Sequence, residues 1–502
     1  MRTNNAKRNV ISSVFSAVLL MIIGFFSQTI FIKILGSEYL GLNSLFYNIL
    51  STFSLVELGL GSAIVYSLYE PLEHKNIKKV KSLINFYKVS YRIIAIIIGL
   101  LSLIILPFIP MIVGENNVSD NIYIIFLLFS LNSICSYLIT YRRSILYADQ
   151  KSSIITNIHL LISLLLNFFQ ILFLILTSSY LIYLCLKIIF SLIENLAINY
   201  FVLVKYPYLK QNNEKIDKNE KQLLFLRVKG LIYHKIGEII VYATDNILIS
   251  IFIGLKYVGL YSNYALIVSS ISYIIRQIFA SLVASIGNLF VSSNINKNYE
   301  VYKKINFFNY VVTLLCVSCL INLLQNFIII WLGTDYLLKY EVIIIICLNF
   351  YFLSMRRGFT AFKEAAGIFF EDRYMPVLEA IINLISSLIF IHYFGFIGVF
   401  LGTTISYLFI FLYAYPKYVF IKIFKKTYKE YFLNFINQLL VMIIIILITK
   451  FVIELNDINN IYVSFLTNGI YSVIIPIIVI VICFFKKPEF NYFINFFRKR
   501  RR

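Results

Sequence analysis

The chain has 502 residues, of which 60% are hydrophobic and only 14% charged, and its formal net charge is +21. Soluble domains carry about 25% charged residues, so a water-soluble fold of this composition would expose far too much apolar surface. The composition therefore excludes a soluble enzyme and predicts an all-α polytopic membrane protein.

Hydrophobic stretches of about 20 residues, long enough to cross a hydrocarbon core of about 30 Å, recur through the whole chain. They predict about fourteen transmembrane spans, each helical because an unpaired backbone amide in hydrocarbon costs several kcal/mol. In chain order, spans 1 to 14 lie near residues 10–35, 40–68, 83–113, 121–147, 154–178, 180–204, 230–254, 258–290, 305–332, 341–365, 376–394, 396–421, 432–454 and 465–485.

The 45 Lys and Arg residues predict the orientation, because loops rich in these residues stay on the cytoplasmic side. With fourteen spans, nearly all of these basic residues lie on one side of the membrane, which includes the loop at 205–229 and the tail at 498–502. The exceptions, at the other face or within spans, are Lys33, Lys256, Lys339, Lys450, Lys187 and Arg276. Both termini are therefore predicted to be cytoplasmic, and the positive charge indicates topology and anionic lipid headgroups rather than nucleic acid.

All six cysteines lie within predicted spans, which argues against a disulfide framework. Cys316 and Cys319 have CxxC spacing, but neither a histidine nor a second cysteine pair accompanies them, as a zinc site would require. We therefore expect buried thiols, no metal site and no cofactor.

An internal repeat relates the two halves of the chain. Ile34–Ser44 reads ILGSEYLGLNS and Phe252–Ser262 reads FIGLKYVGLYS, so that two glycines, a tyrosine, a leucine and a serine match. A second match pairs Tyr141–Ser144 (YRRS) in span 4 with Met355–Gly358 (MRRG) in span 10. Two matches in the same order indicate duplication. Because six spans per half give both halves one orientation, parallel-repeat transporters are the expected architecture.

The repeat and the loops predict four regions. These are an N-terminal lobe at 1–204, a cytoplasmic linker at 205–229, a C-terminal lobe at 230–421, and two extra helices with a basic cytoplasmic tail at 422–502. We expect the two lobes to be pseudo-symmetric six-helix bundles around a central cavity.

Three segments carry a resemblance to known transporters. They are Leu35–Leu42 (LG-x-x-YLGL), Phe53–Leu72 (FSLVELGLGSAIVYSLYEPL) and Thr244–Ser262 (TDNILISIFIG-x-x-YVGLYS). With spans arranged as six, six and two, the chain resembles the multidrug/oligosaccharidyl-lipid/polysaccharide (MOP) exporter superfamily over nearly its whole length. Within that superfamily it looks like the Wzx-type polysaccharide flippases.

The resemblance implies a transporter of the bacterial cytoplasmic membrane and not an enzyme. Its cargo would be an undecaprenyl-diphosphate-linked oligosaccharide, a repeat unit of a surface polysaccharide such as O-antigen, lipopolysaccharide or capsule, flipped to the outer leaflet by alternating access. The implied partners are this lipid-linked oligosaccharide, membrane lipids, a coupling proton or sodium ion, and a polysaccharide polymerase and glycosyltransferases.

A lipid diphosphate requires basic groups in a wet cavity, because its charge is costly to move through hydrocarbon. Arg276, deep in predicted span 8, is the first candidate, and the alternative is a structural ion pair with Asp245 of span 7. Guanidinium groups also bind phosphate oxygens bidentately, which adds the two matched pairs as candidates. These are Arg142, Arg143, Arg356 and Arg357. For these four, the alternative is that they anchor cytoplasmic helix ends.

Acidic side chains within spans are a second anomaly, because intramembrane ionisable groups usually face protein or water and serve function. Glu57 lies in span 2 beside Gly59 and Gly61, which would permit close backbone approach. We expect Glu57 to line the cavity or to bind a coupling ion.

Span 7 carries a polar stripe on roughly one helical face. Its members are His234, Glu238, Tyr242 and Asp245. This stripe is predicted to line the cavity or to bind the coupling ion, and the alternative is a structural pair with Arg276 or Lys235. Three further polar residues within spans, His159, Lys187 and Glu194, have no predicted role.

Two other functions fit part of the pattern. A membrane glycosyltransferase or polysaccharide polymerase needs catalytic groups, usually on a long outer loop, whereas the outer loops predicted here are short. The sequence also lacks the GxxxxGK[ST] motif, which argues against ATP hydrolysis by this chain. A cation-coupled multidrug antiporter of the same superfamily would share the fold but would favour a more acidic cavity, which the several arginines disfavour.

Overall fold

The computed structural model describes residues 2–57, 59–210, 214–218, 220–222, 224, 237, 244–368, 371–456 and 458–492. All regular secondary structure in these residues is helical, which confirms the predicted all-α fold. Twelve helices in this part of the chain are long and apolar enough to cross a membrane. Two predicted spans are not among the twelve, because span 2 is divided into shorter helices and span 7 lies mostly outside the described residues.

The chain forms two compact units, Met1–Ser262 and Asn263–Arg502. The first unit contains helices Arg2–Leu35, Ser37–Phe53, Leu60–Glu73, Ile77–Ile105, Ile109–Val113, Ile122–Ile139, Arg143–Ala148, Ser152–Thr177 and Tyr180–Lys205. Leu255–Ser292 begins in the first unit and ends in the second. The second unit contains Ile295–Leu332, Tyr340–Ala365, Met375–Phe394, Phe396–Phe409, Tyr428–Leu455 and Ile461–Phe484, with π-helical stretches at Ile410–Ala414 and Pro416–Ile421.

Polar side chains fix where several of these helices begin. Asn76 accepts a hydrogen bond from the Lys79 backbone N–H at 3.1 Å, which starts the helix of span 3. Asn121 does the same at the start of span 4, through the N–H of Tyr123 at 2.9 Å. Such caps satisfy backbone donors that the first helical turn leaves unpaired, and they explain why the predicted and observed starts agree closely at span 4.

In the first unit, span 3 packs against span 4, span 4 against span 6, and span 5 against spans 1 and 6. The helix Leu60–Glu73 packs against span 3 and against Arg143–Ala148, the last helix of span 4. This arrangement brings span 3 and the end of span 4 against the second helix of span 2.

In the second unit, the tightest packing joins spans 11 and 12. A Cβ atom at Gly398 would lie 2.1 Å from the Phe390 carbonyl oxygen, and one at Gly402 would lie 2.1 Å from the Ser387 hydroxyl. Glycines four residues apart therefore let two helix backbones touch, as small residues do at membrane helix interfaces.

The matched glycines of the repeat have matching geometry. Gly36 and Gly254 precede the helices of spans 2 and 8 with positive φ values of 86° and 120°, a backbone region that favours glycine. Within the first unit, the two repeat segments also contact each other. A Cβ at Gly41 would lie 2.4 Å from the Leu255 carbonyl oxygen, and one at Gly259 would lie 1.9 Å from that of Ser37.

One turn further along, the matched serines Ser44 and Ser262 share a hydrogen bond of 2.7 Å between their hydroxyls. Equivalent residues of the two repeats thus face each other at this helix crossing. The sequence match predicted the duplication, but only the structure shows that the glycines serve a contact between the repeats.

Candidate transport sites

Span 2 breaks at Glu57. Its first helix ends at Phe53, a 3-10 turn covers Ser54–Glu57, and Gly59 has a left-handed φ of 77° before the helix restarts at Leu60. The break interrupts the regular backbone hydrogen bonds of a membrane helix, which is tolerated only where protein or water satisfies them. A continuous helix was expected here, and the Gly59 conformation is the physical reason for the difference.

Three tyrosines hold the half-buried Glu57 carboxylate. The Tyr91 hydroxyl donates to Oε1 at 2.6 Å, and Tyr87 donates to the Tyr91 hydroxyl at 2.5 Å. The Tyr137 hydroxyl lies 3.5 Å from Oε2. The structure therefore arranges a chain of hydroxyls that ends on a carboxylate, which is a group able to bind a proton or, with the hydroxyl oxygens, a small cation.

Gly61 makes room for this cluster. A Cβ at this position would lie 2.7 Å from Glu57 Oε1 and 2.9 Å from the Tyr87 hydroxyl. Close backbone approach was predicted at Gly59 and Gly61, but the atoms nearest to a Cβ at Gly61 belong to side chains. Gly59 supplies a left-handed backbone conformation, and Gly61 leaves space for the side chains that bind the carboxylate.

The first arginine doublet, Arg142–Arg143, follows the helix of span 4. Arg143 donates to Glu194 Oε1 at 2.8 Å and to the Asn195 side-chain oxygen at 2.6 Å. The other Glu194 oxygen lies 3.0 Å from Nδ1 of His159. Glu194, to which the sequence gave no role, therefore neutralises Arg143, and His159, also without a predicted role, contacts the other oxygen of the same carboxylate.

Arg142 has different partners. Its guanidinium donates to the side-chain oxygen of Asn199 and lies 5.4 Å from the centre of the Tyr141 ring. It makes no ion pair with any residue in the described part of the chain. Its positive charge is therefore solvated by neutral groups.

The second arginine doublet, Arg356–Arg357, lies within the helix of span 10. Arg356 binds Glu379 of span 11 through two hydrogen bonds of 2.5 and 2.9 Å. Glu379 is almost completely buried, and the sequence analysis did not select it. Arg357 is half-buried and makes no ion pair with a described residue. Each doublet thus has one arginine bound to a carboxylate and one that pairs with no acid in the described ranges.

Arg276 lies on a longer helix than predicted, Leu255–Ser292. It is about 21 residues from the start of that helix, or about 32 Å at about 1.5 Å per residue, close to the hydrocarbon thickness of about 30 Å. This position is nearer one membrane boundary than the centre. Its guanidinium lies 5.0 Å from the centre of the Tyr273 ring, and no described acid forms an ion pair with it.

Glu57 lies at a comparable distance, about 20 residues or about 30 Å from the start of span 2 at Ser37. The matched glycines Gly36 and Gly254 are 218 residues apart. The same offset applied to Glu57 gives position 275, one residue before Arg276. The two repeats therefore carry an acid and a base at nearly equivalent sequence positions of matched helices, and this relation is visible only when the repeat is extended along the span.

The predicted stripe of span 7 is only partly described. His234, Glu238 and Tyr242 lie outside the described residues, while Asp245 is half-buried and lies near enough to Tyr261 for an electrostatic interaction. The proposed roles of these residues stay predictions. Within the part of the chain that the structure covers, no group of three His, Cys, Asp or Glu side chains is placed to hold a metal ion.

No protein-family model matches the sequence, and no curated protein does. Several solved structures are similar to this chain. The lipid II flippase MurJ in an inward closed conformation has a TM-score of 0.66 at 18% identity, over 95% of this chain and 98% of that chain.

Multidrug transporters are also similar. An inward-facing MATE family transporter of the MOP superfamily has a TM-score of 0.60 at 13% identity, over 80% of this chain and 94% of that chain. The Vibrio cholerae MATE transporter VcmN in its bent form has a TM-score of 0.54 at 14% identity, over 83% and 97%. The chain therefore has the fold of MOP superfamily transporters, and these neighbours are membrane transport proteins rather than enzymes.

Proposed function

We propose that this protein flips a polyprenyl-diphosphate-linked oligosaccharide, a repeat unit of a surface polysaccharide, from the cytoplasmic to the outer leaflet by ion-coupled alternating access. The supporting observation is the similarity to a lipid II flippase over nearly the whole of both chains. The charge pattern fits the same cargo, because three candidate arginines form no ion pair with a described acid.

Three arginines carry the electrostatic part of the proposal. Arg142, Arg276 and Arg357 have no acidic partner among the described residues, although intramembrane cations normally pair with an acid or face water. A diphosphate offers several anionic oxygens, which guanidinium groups bind with charge-assisted hydrogen bonds. Arg143 and Arg356, which are bound to carboxylates, position the doublets in this proposal and do not contact the cargo first.

The test is flipping in proteoliposomes. The purified protein is reconstituted with a fluorescent undecaprenyl-diphosphate oligosaccharide, and a membrane-impermeant quencher reports the leaflet that it occupies. We expect wild-type protein to accelerate flipping and Arg276→Gln to abolish at least about nine-tenths of the rate. Arg373→Gln, on a loop outside the spans, is the matched control and should behave as wild type.

Efflux of a cationic dye without flipping of the lipid would contradict this proposal and would identify a multidrug antiporter instead. Equal loss of flipping in the Arg276 and Arg373 variants would contradict a specific role for Arg276.

The proposed coupling site is Glu57. The break in span 2 and the hydroxyl chain from Tyr87 through Tyr91 give its carboxylate a route for proton exchange. Glu57→Gln keeps the shape and a hydrogen-bond acceptor but removes the charge. We expect this variant to equilibrate the lipid between leaflets and to lose acceleration by an imposed pH or sodium gradient.

Glu70→Gln is the control for the Glu57 variant, because Glu70 lies exposed on the second helix of the same span. It should respond to the gradient as wild type does. A Glu57→Gln variant that keeps full gradient dependence would rule out this residue as the coupling site.

A further inference from the structure

A group of three positive charges lies where spans 3 and 4 meet. Lys88 and Arg92 are four residues apart on the helix of span 3 and therefore share one face. Arg142 lies in the 3-10 turn at the end of span 4, which packs against the same helix. We call these three residues the cationic triad.

Contact between two tyrosines sets the register of these antiparallel helices. The rings of Tyr91 in span 3 and Tyr137 in span 4 are 5.3 Å apart, centre to centre. From this contact, Lys88 lies about one turn away on span 3, and Arg142 lies slightly more than one turn away on span 4, toward the same end of the unit. The three charges converge, and Lys88 experiences repulsion from both arginines.

In the part of the chain that the structure describes, no carboxylate forms an ion pair with the triad. The described partner of Arg142 is the neutral amide of Asn199. The neighbouring carboxylate, Glu57, accepts a hydrogen bond from the Tyr91 hydroxyl instead. Like charges held together without an acid are stabilised by a bound anion.

The depth of the triad indicates which anion. Arg142 lies about 20 residues from the start of span 4 at Ile122, and Arg92 lies about 21 residues from Val113 at the far end of span 3. At about 1.5 Å per residue, both positions are about 30 Å from the opposite face, which is the hydrocarbon thickness. The triad therefore lies at headgroup level, at the end predicted to be cytoplasmic.

We propose that Lys88, Arg92 and Arg142 form a capture site that binds the diphosphate of the lipid-linked cargo at the cytoplasmic headgroup level, before translocation. This inference rests on the proposed flippase function and adds two residues, Lys88 and Arg92, that the sequence analysis did not select. A diphosphate fits three converging cations better than a single phosphodiester does, because it carries more charge and more acceptor oxygens.

Binding is measured in nanodiscs of zwitterionic phosphatidylcholine, with a fluorescent undecaprenyl diphosphate as the probe. We expect Lys88→Gln/Arg92→Gln to weaken binding at least about tenfold and Arg142→Gln to weaken it by a similar factor. Lys88→Arg/Arg92→Lys, which keeps both charges and verifies folding, should bind within about threefold of wild type. The matched control is Lys75→Gln/Lys78→Gln, which removes two exposed charges at the start of the same helix and should leave binding unchanged.

Competitors identify the ligand. Inorganic pyrophosphate should displace the probe, whereas an equal concentration of phosphatidylglycerol should not. Displacement by phosphatidylglycerol would overturn the proposal in favour of a site for ordinary anionic lipid. An equal loss of binding in the Lys75/Lys78 control would overturn it in favour of non-specific attraction.

Flipping assays separate this proposal from the function on which it rests. If wild-type protein flips the lipid and Lys88→Gln/Arg92→Gln binds the probe normally, the capture site is rejected and the flippase stands. If wild-type protein binds the diphosphate at the triad but never flips it, the flippase is rejected and the site stands.

Discussion

The two arginine doublets occupy matched positions of the repeat, yet each unit neutralises its doublet differently. In the first unit, Arg143 binds Glu194 of span 6, and the same carboxylate contacts His159 of span 5. In the second unit, Arg356 binds Glu379 of span 11. The ion-paired arginine is therefore Arg143 in the first doublet and Arg356 in the second. Their acids lie on spans 6 and 11, which are not equivalent in the repeat.

This difference shows that the repeated motif determines where positive charge lies but not which acid binds it. In both units, one arginine is committed to an ion pair and the other forms none with a residue that the structure describes. The ion-paired arginines should therefore contribute to stability, and the others to anion binding. Each of the following substitutions tests that division.

The largest effect is expected for Glu379→Gln. The Glu379 side chain is 3% exposed, and removing its charge breaks its ion pair with Arg356; breaking a buried ion pair typically costs about 3–5 kcal/mol. We expect a clearly lower thermal unfolding midpoint in detergent. Glu371→Gln, which loses an exposed pair with Lys422 outside the spans, is the control. An equal shift in both variants would show that burial of the pair is irrelevant.

The matching substitution in the first unit, Glu194→Gln, should cost less, about 1–2 kcal/mol. Arg143 keeps the hydrogen bond to Asn195 at 2.6 Å, and a hydrogen bond to a charged group is worth only about 1.5–3 kcal/mol. The Glu194 side chain is also 13% exposed, against 3% for Glu379. The same unfolding measurement checks this order. A larger loss than that of Glu379→Gln would reverse the comparison.

The sequence predicted the helices well because hydropathy alone determines membrane spans. Most predicted ends lie within a few residues of the observed ones. Span 9 is the main exception, since its helix begins at Ile295 rather than near 305. That extra length is polar, and hydropathy does not register a helix that continues beyond the hydrocarbon.

The sites were less predictable, because their partners are distant in sequence. Glu57 could be selected as an acid within a span, but its binding to Tyr91 depends on how spans 2 and 3 pack. His159 and Glu194 were visible as polar intrusions without a role, since nothing in the sequence places them beside Arg143. The break at Gly59 was also missed, because a glycine within an apolar stretch is as compatible with helix packing as with a turn.

The arginines without acidic partners should give the opposite result to the ion-paired ones. Arg142→Gln and Arg357→Gln remove no ion pair with a described residue, so we expect unfolding midpoints close to wild type. Lipid flipping should fall about tenfold, the effect of losing one charge-assisted contact. Arg356→Gln should lower the midpoint, since it leaves the buried Glu379 unpaired. Comparing unfolding and flipping for all three variants separates the roles. A stable Arg356→Gln variant with lost flipping would place Arg356 in the binding site instead.

The smallest effect is expected for His159→Gln, which tests the extra member of the first unit's cluster. The imidazole is half exposed and contacts Glu194 at 3.0 Å, and exposed charge pairs contribute about 0–1 kcal/mol. Arg143 alone then accounts for most of the binding of Glu194, so the unfolding midpoint should move less than in Glu194→Gln. If His159→Gln and Glu194→Gln shift it equally, the histidine and not the arginine is the principal partner of this carboxylate. The two units would then differ in the chemistry of neutralisation as well as in the helix that supplies the acid.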